Sequence, residues 1–223
     1  MRFCLVHGST QNSSGWDLLV PALERLGHDA VCPDLPNDPA ASATHYADAI
    51  ADAIPPGRED VTVVAHSASG LFLPLVPSRR RVHRLVFLAA VIPRIGMSLI
   101  DQLRSDQRMM NPEWVGKNPV EDGQIAHQFL FHDCSPDVAE WALTTRRLMN
   151  ARQAMVEISP LTNWPAVPCT YILCIGDRTI QPEWSRHAAR ELLGCEALEL
   201  AGGHCPHVSR PRELAEMLAG LWN

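Results

Sequence analysis

No apolar run in this sequence approaches the ~20 residues that a membrane-spanning helix needs, so a bilayer span is not expected. Positive charge is not in excess. Lysine and arginine total 19 against 25 aspartates and glutamates, a net charge of −6. Nucleic acid and anionic membrane surfaces are therefore not expected as main partners. The one basic cluster, Arg79, Arg80, Arg81 and Arg84, reads as a solvated helix end ahead of a strand. No C-x-x-C pair occurs among the seven cysteines, which removes a zinc ribbon and a thioredoxin-like redox motif. An odd set of unpaired thiols fits a reducing compartment. The opening MRFCLVHG runs straight into a strand-like segment without an apolar signal region, so the expected location is cytoplasmic. Internal repeats and low-complexity stretches are absent.

What the sequence does have is alternation. Strand-like runs are expected at Arg2–His7, Asp29–Cys32, Val61–Ala65, Val82–Val91, Pro168–Ile175 and Ala197–Leu200. Helical patterns lie between them. Trp16–Leu26 is expected to stop at Gly27. Ser42–Ile54 sets Tyr46, Ile50 and Ile54 on one face and ends at Pro55-Pro56. Further helices are expected after Ser67, near Pro182–Leu193, and at the end, where Leu214, Met217, Leu218 and Leu221 share a stripe. Strands alternating with helices imply an α/β fold, a mostly parallel sheet of about six strands with helices on both faces. Near-continuous apolar runs such as LVFLAAV fit strands buried on both sides. From about Pro93 to Trp164 the alternation stops. This stretch is rich in methionine and aromatic residues, and holds a helix with Ser135 as N-cap and Pro136 at its first position. Val138, Trp141, Ala142, Leu148 and Met149 are expected on its apolar stripe.

In parallel sheets the ligand site lies beyond the carboxyl ends of the strands. Four such loops carry reactive side chains: His7-Gly8-Ser9-Thr10, His66-Ser67-Ala68-Ser69-Gly70, Gly176-Asp177-Arg178, and Gly203-His204-Cys205-Pro206-His207. A serine nucleophile held on a sharp strand-to-helix turn tolerates only small side chains two residues to either side. Around Ser67 those are Ala65 and Ser69; around Ser69 they would be Ser67 and the bulky Leu71. Ser67 is therefore the candidate nucleophile and Ser69 a packing residue. A serine there also commonly caps a helix, and an aspartate after a strand, such as Asp177, commonly closes a turn. Serine, acid and histidine follow one another in the chain order of the α/β-hydrolase triad.

These motifs resemble the α/β-hydrolase superfamily over essentially the whole chain. LVHGSTQNSSGWDLLVPAL is similar to its first strand, oxyanion loop and helix. Its G-H-S-x-G-G motif stands here as Ala65-His66-Ser67-Ala68-Ser69-Gly70, with two glycines replaced by small residues. The resemblance implies an α/β-hydrolase fold with a core of residues 1–92 and 165–223 and a helical cap, residues 93–164, inserted between them. It implies Ser67, Asp177 and His204 as the catalytic set. His204 is preferred over His207 because it matches the family's Gly-His position. The backbone N–H groups of Ser9 and Ala68 are the implied oxyanion hole, and His7 is implied to be structural. The implied reaction is hydrolysis of an ester or related acyl bond through an acyl-enzyme, with no metal or organic cofactor. An HCPH metal site would lack further ligands at usual spacing.

The expected partner is a small-molecule substrate; oligomeric state is left open. The pocket is expected to be partly apolar, lined by Thr10, Met110, Trp114, Phe131, Trp141 and Cys205, although such methionines and aromatics also serve simply to bury a cap on its core. Asp133 and Arg146 are candidate polar contacts. Plant hydroxynitrile lyases are similar in length and compact cap, but carry Thr and Lys where this chain has Gly8 and Cys205. Acyltransferase or perhydrolase chemistry, and a ligand sensor with weak turnover, are the alternatives to hydrolysis. A dehydrogenase is not expected, because HGSTQNSSG lacks G-x-G-x-x-G.

Overall fold

The computed structural model describes residues 2–57 and 60–221. Of the expected core span, Met1, Arg58, Glu59, Trp222 and Asn223 lie outside the described residues. Strands β1 (Arg2–Val6), β2 (Asp29–Val31), β3 (Val61–His66), β4 (Arg84–Leu88), β5 (Cys169–Cys174) and β6 (Leu198–Leu200) form one sheet in the order β2-β1-β3-β4-β5-β6, with every adjacent pair parallel.

Side-chain alternation explains the continuous apolar runs. Phe3, Leu5, Val64, Val86, Leu88 and Ile172 point to one face. There they pack on α1 (Leu19–Arg25) and α9 (Pro211–Gly220) through Leu19, Leu23, Leu214 and Leu218. Cys4, Val6, Val63, Ala65, Leu85, Phe87 and Tyr171 point to the other face. There they meet α2 (Ala43–Ala53) through Tyr46 and Ile50, and α7 (Pro182–Ala188) through Trp184 and Ala188. The expected face of α2 is thus the buried one. Ser42 caps it, and the His45 side chain accepts from the Ser42 N–H in return.

Two helices and a strand differ here from the sequence reading. The expected Trp16–Leu26 helix divides into a 3-10 turn, Ser13–Trp16, and α1. Pro21 has no N–H to donate to Asp17, so the two cannot run on as one helix. The expected stop at Gly27 is present, with φ +80°. After Ser67 there is no α-helix but two 3-10 segments, Ser67–Leu71 and Leu73–Ser78. Pro74 and Pro77 remove two donors there, and the Ser67 carbonyl accepts from Val91 N at 3.1 Å instead. Strand β4 is shorter than expected because Ala89 turns left-handed, at φ 43°.

Between β4 and β5 lie α3 (Leu99–Ser105), α4 (Gly123–Phe129), α5 (Pro136–Thr144) and α6 (Arg152–Val156). Of the expected α5 stripe, Ala142 is buried, but Leu148 and Met149 fall beyond the helix end and Leu148 is 48% exposed. Residues 145–149 instead pair with the loop after β1. Asn12 N donates to Thr145 O, Arg147 N to Thr10 O and Met149 N to Ser9 O, at 3.0, 3.1 and 2.8 Å. Leu99, Met109, Met149, Ala154 and Leu161 join the core on the α2 face of the sheet. A smaller cluster of Leu130, Phe131, Ala139 and Ala142 packs on Cys205 and Val208, at α8 (Pro206–Ser209).

Candidate active site

Strands β1 and β3 are neighbours, and beyond them the sheet order reverses, with β2 on the outer side of β1. Ligands in open α/β sheets bind at such a switch point. The loop after β1 and the turn after β3 meet there closely. A Cβ on Gly8 would stand 2.9 Å from Ser67 Cβ and 2.9 Å from His66 Nδ1, so no larger residue fits.

Ser67 directly follows β3 and has φ 56°. This left-handed conformation is strained for a residue with a side chain, by about 1–3 kcal/mol. The strain is held by packing and hydrogen bonds on both sides. Ser69 Oγ, fully buried, donates to His7 O at 2.5 Å, which ties the elbow to the loop after β1. The adjacent Ala65 and Ser69 are small and buried, as the turn demands.

His204 reaches Ser67 from the loop after β6. Its Nε2 lies 3.0 Å from Ser67 Oγ, and its Nδ1 lies 2.8 Å from Asp177 Oδ2. The His204 and Asp177 side chains are each 3% exposed. With the proton on Nδ1 facing the carboxylate, the Nε2 lone pair faces the hydroxyl. His66 Nε2–H donates to His204 O at 2.8 Å and holds the backbone of that loop.

Asp177 divides its two oxygens between two tasks. Oδ2 faces His204. Oδ1 accepts from Thr179 N at 2.7 Å, Ile180 N at 3.1 Å and Thr179 Oγ1 at 3.0 Å. The aspartate is therefore a turn residue and an imidazole partner at once. Thr179, which the sequence reading passed over, also places Oγ1 2.7 Å from His204 Nδ1. Its signal was present: Asp-x-Thr is the spacing of an aspartate-closed turn.

His207 is neither a cap nor a pocket residue. It is buried, lies tilted against Trp16 with ring centroids 4.3 Å apart, and donates Nε2–H to Gln11 Oε1 at 3.0 Å. Burial, with His204 adding to it, pushes its pKa down to about 3. Burial also holds His7 and His66 below the ordinary histidine range. His7 donates Nδ1–H to Gly8 O and accepts from Leu35 N on Nε2, a structural arrangement.

A cavity of about 190 Å³ opens onto Ser67, His204, Ser9 and Ala68, with Val91, Leu99, Leu130, Met155 and Ile180 among its apolar walls. An outer groove of about 850 Å³ shares Ser9, Thr10, Met110 and Trp114 with it. Thr10, Met110 and Trp114 thus line the space next to Ser67. Phe131, Trp141 and Cys205 do not line it. Phe131 and Cys205 are buried in the cluster that joins α4 and α5 to α8, and Trp141 packs on its edge; the apolar periodicity of that region reports packing rather than a pocket. Arg146 donates to Leu143 O and Pro119 O, away from the cavity. Among the described residues no three His, Cys, Asp or Glu side chains converge as metal ligands.

The alpha/beta hydrolase family model matches residues 5–217. The chain belongs to the alpha/beta hydrolase family. It is a hydrolase of that family, similar along its full length to proteins named as esterases. Esterase PIR7B of Oryza sativa subsp. japonica is 28% identical over 262 residues, covering 100% of this chain and 96% of the relative. Salicylic acid-binding protein 2 of Nicotiana tabacum is 25% identical over 253 residues, covering 97% and 95%. The crystal structure of polyneuridine aldehyde esterase superposes with a TM-score of 0.78 at 23% identity, covering 100% of this chain and 99% of the other, and agrees in fold.

Proposed function

We propose that this hydrolase cleaves an ester, or a related acyl bond, of a small and partly apolar molecule through an acyl-enzyme on Ser67. One observation carries the reading: a buried imidazole faces Ser67 Oγ with one nitrogen at 3.0 Å and Asp177 with the other at 2.8 Å, at the edge of an apolar cavity. A free serine hydroxyl is a poor nucleophile. In this reading His204 takes its proton as Oγ attacks the carbonyl carbon. Asp177 holds the Nδ1–H tautomer and stabilises the imidazolium. The N–H groups of Ser9 and Ala68 receive the developing oxyanion. His204 then gives its proton to the leaving alcohol, takes one from the water that attacks the acyl carbon, and returns it to Ser67 Oγ as the acyl–Oγ bond breaks and the acid leaves. Residues 93–164 act as the cap, supplying Trp114, Met110 and Leu130 to the pocket. That pocket offers apolar walls to the acyl or alcohol group.

A second reading has one support, the binding-protein name of the tobacco relative: tight capture of a small ligand with slow turnover. The reactivity of Ser67 separates the two. Incubation with a fluorophosphonate, followed by intact-mass analysis and peptide mapping, is expected to give one adduct on Ser67 and none in Ser67→Ala. Adduct that persists in Ser67→Ala and vanishes in Ser69→Ala would overturn the assignment. Rapid turnover of simple esters supports hydrolysis; a labelled serine with near-zero turnover and tight ligand binding supports the sensor.

A further inference from the structure

Asp177 and His204 sit on different loops, and two adjacent residues of the insertion grip both. His132 Nε2–H donates to Gly176 O at 3.1 Å, one residue before Asp177. Asp133 Oδ2 accepts from Gly203 N at 2.8 Å, one residue before His204. Between these loops Gly176 N donates to Gly202 O at 2.9 Å. The grip is close enough to dictate sequence. A Cβ on Gly203 would stand 2.7 Å from His132 Nε2 and 2.8 Å from Asp133 Oδ1. A Cβ on Gly202, which has φ +109°, would stand 2.6 Å from Asp133 Oδ2 and 2.7 Å from Arg210 Nε. The glycine pair before His204 is thus the space that His132 and Asp133 occupy. The gripping pair is itself anchored. Phe131 is fully buried, its N–H donates to Ala126 O, and it packs in the cluster that includes Cys205 and Val208 beside His204.

We propose that His132 and Asp133 are positioning residues that hold the acid-bearing and base-bearing loops in register, so that the Asp177–His204 contact is set from the insertion. The proposal rests on the hydrolase reading above. Asp133 touches no reacting atom; it acts by accepting the Gly203 N–H, and His132 by donating to the Gly176 carbonyl. Misplacing a reacting group by about 1 Å can cost a factor of about 100.

The test uses the full chain and two readouts: the rate of fluorophosphonate labelling, and the far-downfield proton resonance that disappears in His204→Ala. Asp133→Ala is expected to slow labelling about 100-fold and to lose or shift that resonance. Asp133→Asn keeps an acceptor oxygen and is expected to restore most of the rate and the signal. His132→Ala is expected to slow labelling about 10-fold, with His132→Gln, which keeps a donor, recovering it. Should Asp133→Ala fail to fold, the His132 pair gives the same comparison. Wild-type labelling and resonance in both alanine variants, with labelling lost in Ser67→Ala, overturn the clamp and leave the hydrolase reading standing. Asn or Gln variants as slow as the alanines also overturn it. Labelling that survives Ser67→Ala overturns the hydrolase reading and the clamp with it.

Discussion

Ser67 and Asp177 each do two jobs, and the two are mechanically linked. The serine bends the chain out of β3 at φ 56° while facing His204. The aspartate closes a turn with Oδ1 while Oδ2 faces the imidazole. Thr179 joins these tasks: its hydroxyl donates to Asp177 Oδ1 and leaves its own lone pair to the His204 Nδ1–H. Removing that hydroxyl takes one of three donors from Asp177 Oδ1 and the neighbouring oxygen from His204 Nδ1. Thr179→Val is therefore expected to lower kcat on an ester substrate about 10-fold with little change in KM, as for an interaction that matters most in the transition state. Thr179→Ser, which keeps the oxygen, is expected to stay within about twofold. Steady-state kinetics of the pair decides it, and equal rates in Val and Ser would refute the role. The elbow serine was legible because steric demands at the turn act over five consecutive residues. Thr179 was harder to find, since its second contact is to the loop after the neighbouring strand, 25 residues on.

Elements that look independent in sequence share hydrogen bonds here. The loop after β1 carries Ser9 and Thr10 to the cavity, yet its backbone is held by residues 145–149 from the far end of α5. Gln11 is the hub of that contact. Buried at 1% exposure, it donates to Thr145 Oγ1 at 3.0 Å and accepts from His207 Nε2 at 3.0 Å. Gln11→Ala leaves His207 Nε2–H without its acceptor and Thr145 Oγ1 with only its bond to Ala142 O. Its cost is expected to be about 1–3 kcal/mol, read as a drop in the urea midpoint at constant slope. An unchanged midpoint would show that water replaces the amide freely. Helix α5 was expected to run on to Met149 because apolar periodicity continued. It stops at Thr144 because the backbone beyond it finds better partners in residues 9–12. The aromatic-rich composition of the insertion suggested a pocket, and Phe131, Trp141 and Cys205 were expected to line it, but they pack together where α4 and α5 meet α8.

Over the whole molecule, the buried histidines tie stability to pH. His7, His66 and His207 are buried, and burial is the first cause holding each below its ordinary value, His207 at about 3. An unfolded chain takes up protons at these rings once the pH falls below about 6.5, while the folded chain takes them up only at lower pH. Their contribution is thus complete above about 6.5 and lost as the pH drops, for His207 by about 1.4 kcal/mol per pH unit down to its folded value of about 3. The protein is expected to lose Tm steadily between about pH 6.5 and 4. His207→Gln removes one titrating ring and is expected to be less stable at pH 7.5 yet to show a shallower decline. An unchanged slope in that variant would refute the assignment.

The layers follow from the order of residues alone. Strands buried on both faces must read as unbroken apolar runs, so β1, β3, β4 and β5 were visible, and the helices between them required a parallel sheet. That order also determined which loops meet, because consecutive parallel strands all present their carboxyl ends on one side. The distances come from the folded chain: that His204 and not His207 faces Ser67, that Asp177 shares itself with Thr179, and that His132 and Asp133 fill the space beside the glycine pair. Periodicity along a chain records which face is buried, but not against what. The contacts of His204 with Ser67 and of His132 and Asp133 with the glycine loops join residues dozens of positions apart, and the latter exist only once the insertion has packed onto the sheet.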